Sequence, residues 1–104
     1  MKIYTLTFTD YVHNVTMLIG NFSSYDNAWS ALLDDKNENM KGIGMLGSEI
    51  DSNPELGLGS YSFFSRDVNN ADAYYSYNVN VYYSYNVNVT ELDEVLDANH
   101  QVEL

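Results

Sequence analysis

Cysteine is absent from the 104 residues, which removes disulfide staples, thiolate nucleophiles and cysteine-based zinc sites together. Basic residues are almost as scarce: 4 Lys and Arg stand against 15 Asp and Glu, for a formal net charge of −11. An object of that sign is repelled by DNA, RNA and anionic membranes, so none of these is expected as a direct partner. No apolar run approaches the ~20 residues that a helix needs to cross a bilayer. The opening Met-Lys-Ile-Tyr-Thr-Leu-Thr-Phe alternates apolar with hydroxyl residues and holds no apolar segment of signal-peptide length. The expectation is a cytoplasmic protein, one domain over residues 1–104, with no cofactor and no metal.

Aromatic residues are abundant: 10 Tyr, 4 Phe and 1 Trp lift the aromatic share to 14% and the hydrophobic share to 45%, which separates the chain from disordered acidic tails. A chain of this length buries roughly two-thirds of its unfolded surface, enough for one core. Residues 2–9 alternate, with Tyr4, Leu6 and Phe8 on one side and Ile3, Thr5, Thr7 and Thr9 on the other, the period of a strand. Turn formers over 10–14 and the apolar stretch 15–19 predict an antiparallel hairpin, loosened afterwards at Gly20 and Asn21. Ser23 or Ser24 caps a predicted helix whose apolar stripe is Tyr25, Ala28, Trp29, Leu32 and Leu33. The helix is expected to cover the hairpin, and this unit occupies residues 2–36.

Residues 37–73 read as a largely irregular, glycine-rich excursion. Gly42, Gly44, Gly47, Gly57, Gly59 and the single proline, Pro54, break up short apolar pieces, with one short strand expected near 61–65 and a turn or loop over 66–73. Residues 74–97 form the third part, a repeated strand segment with an acidic tail. Over 74–89 the octapeptide Tyr-Tyr-Ser-Tyr-Asn-Val-Asn-Val occurs twice without a gap. Its even length keeps Tyr75, Tyr77, Val79 and Val81 on one face with their counterparts in the second copy, and Tyr74, Ser76, Asn78, Asn80 and Tyr82 on the other. As one strand the sixteen residues would span ~53 Å at ~3.3 Å each, against a radius of gyration of ~13 Å for a domain of about 100 residues. The segment therefore turns, bends or pairs in part with another chain. Residues 90–97 fit either a short helix or an acidic continuation of the strand. The fold class expected is α+β, a small antiparallel sheet of about four or five strands with one principal helix packed on one face.

The opening residues 1–6, Gly20-Asn21-Phe22-Ser23-Ser24 with the helix behind it, and Val87-Asn88-Val89-Thr90-Glu91-Leu92-Asp93-Glu94 as a closing strand resemble small uncharacterised bacterial and phage ββαβ proteins. That resemblance implies the fold and brings no activity. In size, acidity and lack of a catalytic signature the chain is also similar to phage anti-CRISPR and anti-restriction proteins.

Candidate chemistry is sparse. Asp67 to Asp72 lacks the glycine and the terminal glutamate of a calcium loop. The glycines at 42, 44 and 47 lack the strand and ribose-binding acid of a dinucleotide site. His13 and His100 have no neighbour in sequence that specifies a triad or a ligand set. What stands out is charge: after Arg66 there is no Lys or Arg, while Asp67, Asp72, Glu91, Asp93, Glu94, Asp97 and Glu103 follow. These carboxylates serve either as a solvated face or as an imitation of phosphates presented to a cationic groove. Tyr74 and Tyr82 are the expected contact residues beside them. The expectation is a non-enzymatic phage or mobile-element inhibitor that blocks the groove of a basic nucleic-acid-binding protein such as a Cas nuclease. The alternative is an assembly protein, a homodimer paired through its long Tyr-rich strand.

Overall fold

The computed structural model describes residues 1–41, 43–66, 72–83, 94–95 and 101–102. Five strands and one helix make up the body: β1 (Lys2–Asp10), β2 (Val15–Phe22), α1 (Tyr25–Asn39), β3 (Met45–Asn53), β4 (Leu58–Arg66) and β5 (Asp72–Tyr83). Two short strands, β6 (Glu94–Val95) and β7 (Gln101–Val102), both pair with β2. The sheet is antiparallel throughout, in the order β3-β4-β5-β1-β2 with β6 and β7 beyond β2. The chain is thus a small α+β fold with its helix against one face.

Alternation places the core. Leu6 and Phe8 of β1, Tyr77 and Val79 of β5, and Tyr61 and Phe63 of β4 are buried, together with Tyr25, Ala28 and Leu32 of α1. β2 contributes Ile19 and Phe22, and a bulge is what allows it to supply both. Leu6 pairs with Gly20 but Thr7 with Leu18, so Ile19 is the extra residue. Without the bulge the alternation would turn Phe22 to the opposite side of the sheet. Ser24 caps the helix as expected, accepting the Asn27 N–H at 3.1 Å. Leu33 does not join the buried stripe. It lies about 100° around the helix from Leu32 and is 38% exposed.

The excursion expected over 37–73 is instead mostly ordered. The helix continues to Asn39, and β3 and β4 form a complete hairpin. Every residue of β3 is exposed, so no buried set imposes an alternating pattern on its sequence. Pro54 and Gly57 belong to the turn of this hairpin. The loop of residues 54–57 closes with Gly57 N–H donating to the Pro54 carbonyl at 3.2 Å, and Asn53 Oδ1 accepts from the Leu56 N–H at 3.2 Å. The first hairpin turns in a similar way over residues 11–14. There Asp10 Oδ1 accepts from the N–H groups of Val12 and His13 at 2.9 and 3.2 Å, and the loop ends on Asn14 at φ 56° where the second ends on Gly57 at φ 72°.

The first copy of the octapeptide is the central strand of the sheet, with Tyr77 and Val79 turned into the core as the period of two requires. β1 occupies one edge of β5 from Tyr75 to Tyr83, and β4 the other from Asp72 to Val79. The first copy therefore offers no free edge from Tyr75 to Val79, and a second copy has no strand pairing to make with those residues. Most of the second copy, residues 84–89, lies outside the described residues.

Candidate functional site

Asp67, Glu91, Asp93 and Asp97 lie outside the described residues. Glu94 pairs through its backbone with Asn21. Asp72 is exposed at the start of β5 and accepts from Nε and Nη2 of Arg66, both at 3.3 Å, so this acid faces a cation of its own chain. Tyr74 sits beside it, its ring between those of Tyr11 and Phe64 at centroid distances of 4.7 and 4.8 Å. Tyr82 is 56% exposed and eight residues further along the same strand, roughly 26 Å away at ~3.3 Å per residue. Asp72 and Tyr74 share one corner of the sheet and Tyr82 the far end, so these residues do not converge on one site.

The middle of the side of the sheet turned away from α1 is lined by small polar groups, with Phe64 and Tyr74 toward one end and Ile3 and Tyr82 toward the other. Thr5 donates to Asn21 Oδ1 at 2.8 Å, Thr9 and Thr16 share a hydrogen bond at 3.0 Å, and Asn78 donates to Ser76 Oγ at 3.0 Å. Register continues these rows through Ser62 and Ser60 of β4 to Glu49 and Asp51 of β3. Next to Asp51 lies an open hollow of about 340 Å³ with Asn53, Ser60, Asn78 and Asn80 on its walls and Leu58 among its apolar lining.

β3 ends the sheet, and no described strand covers its outer edge. Its apolar residues are uncovered as well: Leu46 is 62% and Ile50 55% exposed. One end is anchored, because Tyr25 of α1 shares a hydrogen bond of 2.6 Å with Ser52 Oγ. That anchor depends on Gly59, where a Cβ would lie 2.6 Å from the Tyr25 hydroxyl and 2.7 Å from the Trp29 ring. The hairpin carries Glu49, Asp51 and Glu55, and residues 42–65 contain no Lys or Arg. Reading by composition passed over this edge because its glycines and proline resembled loop. The signal available was weaker than an apolar alternation: the turn formers Asn53-Pro54 and Gly57 stand between two segments of similar length.

A second acidic stretch runs along α1, where Asp34, Asp35 and Glu38 border a groove of about 440 Å³ that includes Phe22 and Ala31. Asp35 also accepts a hydrogen bond from the Tyr77 hydroxyl at 2.6 Å. Burial above all, then the bond to Asp35 and its charge, pushes the Tyr77 hydroxyl far above its usual value of 10.0. It is a fixed donor at any ordinary pH and no proton shuttle. His13 has a carboxylate neighbour that its sequence spacing did not specify: Nδ1 lies 2.7 Å from Asp10 Oδ2, in an exposed turn. Among the described residues no group of three or more His, Asp and Glu could hold a metal ion. No helix among them is long and apolar enough to cross a membrane.

The chain matches no protein-family model, no curated protein and no solved structure.

Proposed function

We propose that the protein is a non-enzymatic anionic binding protein that seats on a basic nucleic-acid-processing protein and occludes its nucleic-acid groove. The observation that carries this reading is the unequal use of charge. Three of the four cations contact groups of their own chain: Lys2 lies 6.0 Å above the Tyr83 ring, Lys36 lies 5.4 Å above Tyr61, and Arg66 pairs with Asp72. Asp26, Asp34 and Glu38 on α1, and Glu49, Asp51 and Glu55 on the β3–β4 hairpin, make no ion pair with a Lys or Arg among the described residues. Carboxylates left in this state steer a cationic surface toward the molecule and match it on contact. A CRISPR nuclease belongs to this class of partner, and such a partner is met in the cytosol. The carboxylates after Arg66 add to the same field through their charge.

The test is capture from bacterial lysate on the immobilised protein across a salt series, followed by competition with duplex DNA. The expected partner is retained at low salt, released as salt rises, and displaced by the DNA; its nucleic-acid binding falls in proportion to added protein. Retention indifferent to both salt and DNA overturns the reading. Replacing Glu91, Asp93 and Glu94 together by Gln is expected to weaken the inhibition.

A further inference from the structure

From the uncovered β3 edge we infer a docking site for one extended segment of a partner protein, a strand in which Lys or Arg alternates with apolar residues. This rests on the anionic reading above and gives it a place and a mode.

The outer side of β3 presents main-chain N–H and C=O groups that no described strand pairs. An added strand lies ~4.8 Å beyond it and satisfies them, with affinity from the backbone and specificity from alternate side chains. The two faces of β3 ask for different side chains. Glu49 and Asp51 share a face, set by their pairing with Ser62 and Ser60 on the polar side of the sheet. Ile50 points to the other face beside Tyr61, with Ser48 and Ser52 as its neighbours in phase, and it is 55% exposed. A docked strand therefore needs cations on the polar side and an apolar residue against Ile50. The hollow beside Asp51 accommodates the end of a long basic side chain, with the carboxylate of Asp51 and the amide groups of Asn78 and Asn80 on its walls. The bulge at Leu46 stops regular pairing at the start of β3, so the segment is short, about six residues from Ser48 to Asn53.

A second copy of this chain is the wrong occupant. It carries the same net charge of −11, and antiparallel self-pairing centred on Ile50 sets Glu49 of each copy against Asp51 of the other.

The experiment is an NMR titration of the full chain at low salt with three ten-residue peptides. One alternates Lys and Val, one has the same composition with all Lys at one end, and one alternates Glu and Val. The alternating Lys peptide is expected to shift the amide signals of β3 and slow their exchange, and Glu49→Gln with Asp51→Asn to weaken it by about tenfold or more. The alternating Glu peptide is expected to leave the spectrum unchanged. Equal affinity for the two Lys peptides, or shifts on α1 in place of β3, overturns docking at the edge and leaves the anionic reading standing. Protection of β3 amides in a dimer without peptide identifies a second copy as the occupant and overturns the inference. Edge binding that survives while lysate capture proves indifferent to salt and DNA overturns the groove-blocking reading alone.

Discussion

The hydroxyl of Tyr77 donates to the Asp35 carboxylate at 2.6 Å, joining the middle of the central strand to the C-terminal half of the helix. The Tyr77 residue is wholly buried, so the hydroxyl has a partner where it would otherwise have none. Tyr77→Phe keeps the ring and removes the bond, and is expected to cost about 1.5–3 kcal/mol, the range for a hydrogen bond to a charged group. Urea unfolding of both proteins at neutral pH measures it.

The same bond has a pH signature. The hydroxyl titrates higher in the folded chain than its usual 10.0. Its share of stability is complete below that value and is lost as pH rises above it, because only the unfolded chain releases the proton. The loss approaches about 1.4 kcal/mol per pH unit for one group. Comparing unfolding of the parent and Tyr77→Phe from pH 9 upward isolates this slope; equal slopes count against the buried, protonated hydroxyl.

Glycines of the second hairpin divide sharply in tolerance. At Gly57, φ is 72° and a Cβ would lie 2.9 Å from Tyr4 Cε1 and 3.0 Å from Val81 Cβ. Gly57→Ala is expected to cost about 1–3 kcal/mol from backbone strain and crowding. Gly59→Ala displaces Tyr25 and Trp29, so tryptophan fluorescence should change along with stability. Gly47→Ala meets nothing within 4 Å and should leave the melting temperature within a few degrees of the parent.

Asn14 occupies at φ 56° the position that glycine fills in the other hairpin. Asn14→Gly is expected to hold or raise stability by up to about 1 kcal/mol, while Asn14→Val lowers it, since a β-branched residue resists positive φ. Thermal unfolding of the pair separates a real left-handed turn from a rearranged one.

The parts of the fold legible in the sequence were those where one face is buried and the other wet. Leu6 and Phe8 against Thr5, Thr7 and Thr9, the first copy of the octapeptide, and the Ser24-capped helix all carry a pattern that burial enforces. β3 was illegible for the same reason in reverse: exposed on both faces, its residues answer to no packing constraint. The Asp10–His13 and Asp35–Tyr77 pairs were hidden differently. The first depends on the conformation of a turn and the second on a helix crossing a strand 42 residues away in sequence. Of the predicted contact residues, Asp72 and Tyr74 were placed in one corner by their adjacency on β5, whereas the Arg66 that neutralises Asp72 comes from the neighbouring strand.

The central strand holds the first half of a tandem duplication, and this gives the molecule a choice of threading. Feeding the second copy into the slot would hand β1, from Tyr4 to Asp10, and β4, from Gly59 to Phe64, the same side chains they meet now. The two threadings differ at both ends of the ladder: Lys2 and Ile3 face Tyr83 and Tyr82, where the displaced chain would present Glu91 and Thr90, and the end ahead of the repeat differs as well. There Ser65 faces Ala73 and Arg66 faces Asp72, where a chain displaced by eight residues would present Val81 and Asn80. Ser65 and Ala73 are both buried, so a valine there adds bulk at a closed position, and Arg66 would lose its carboxylate. Two unassuming residues ahead of the duplication thus help to index it. A chain carrying Asp72→Asn with Ala73→Val no longer has that help, and doubled amide signals along β1 and β4 would reveal the second threading.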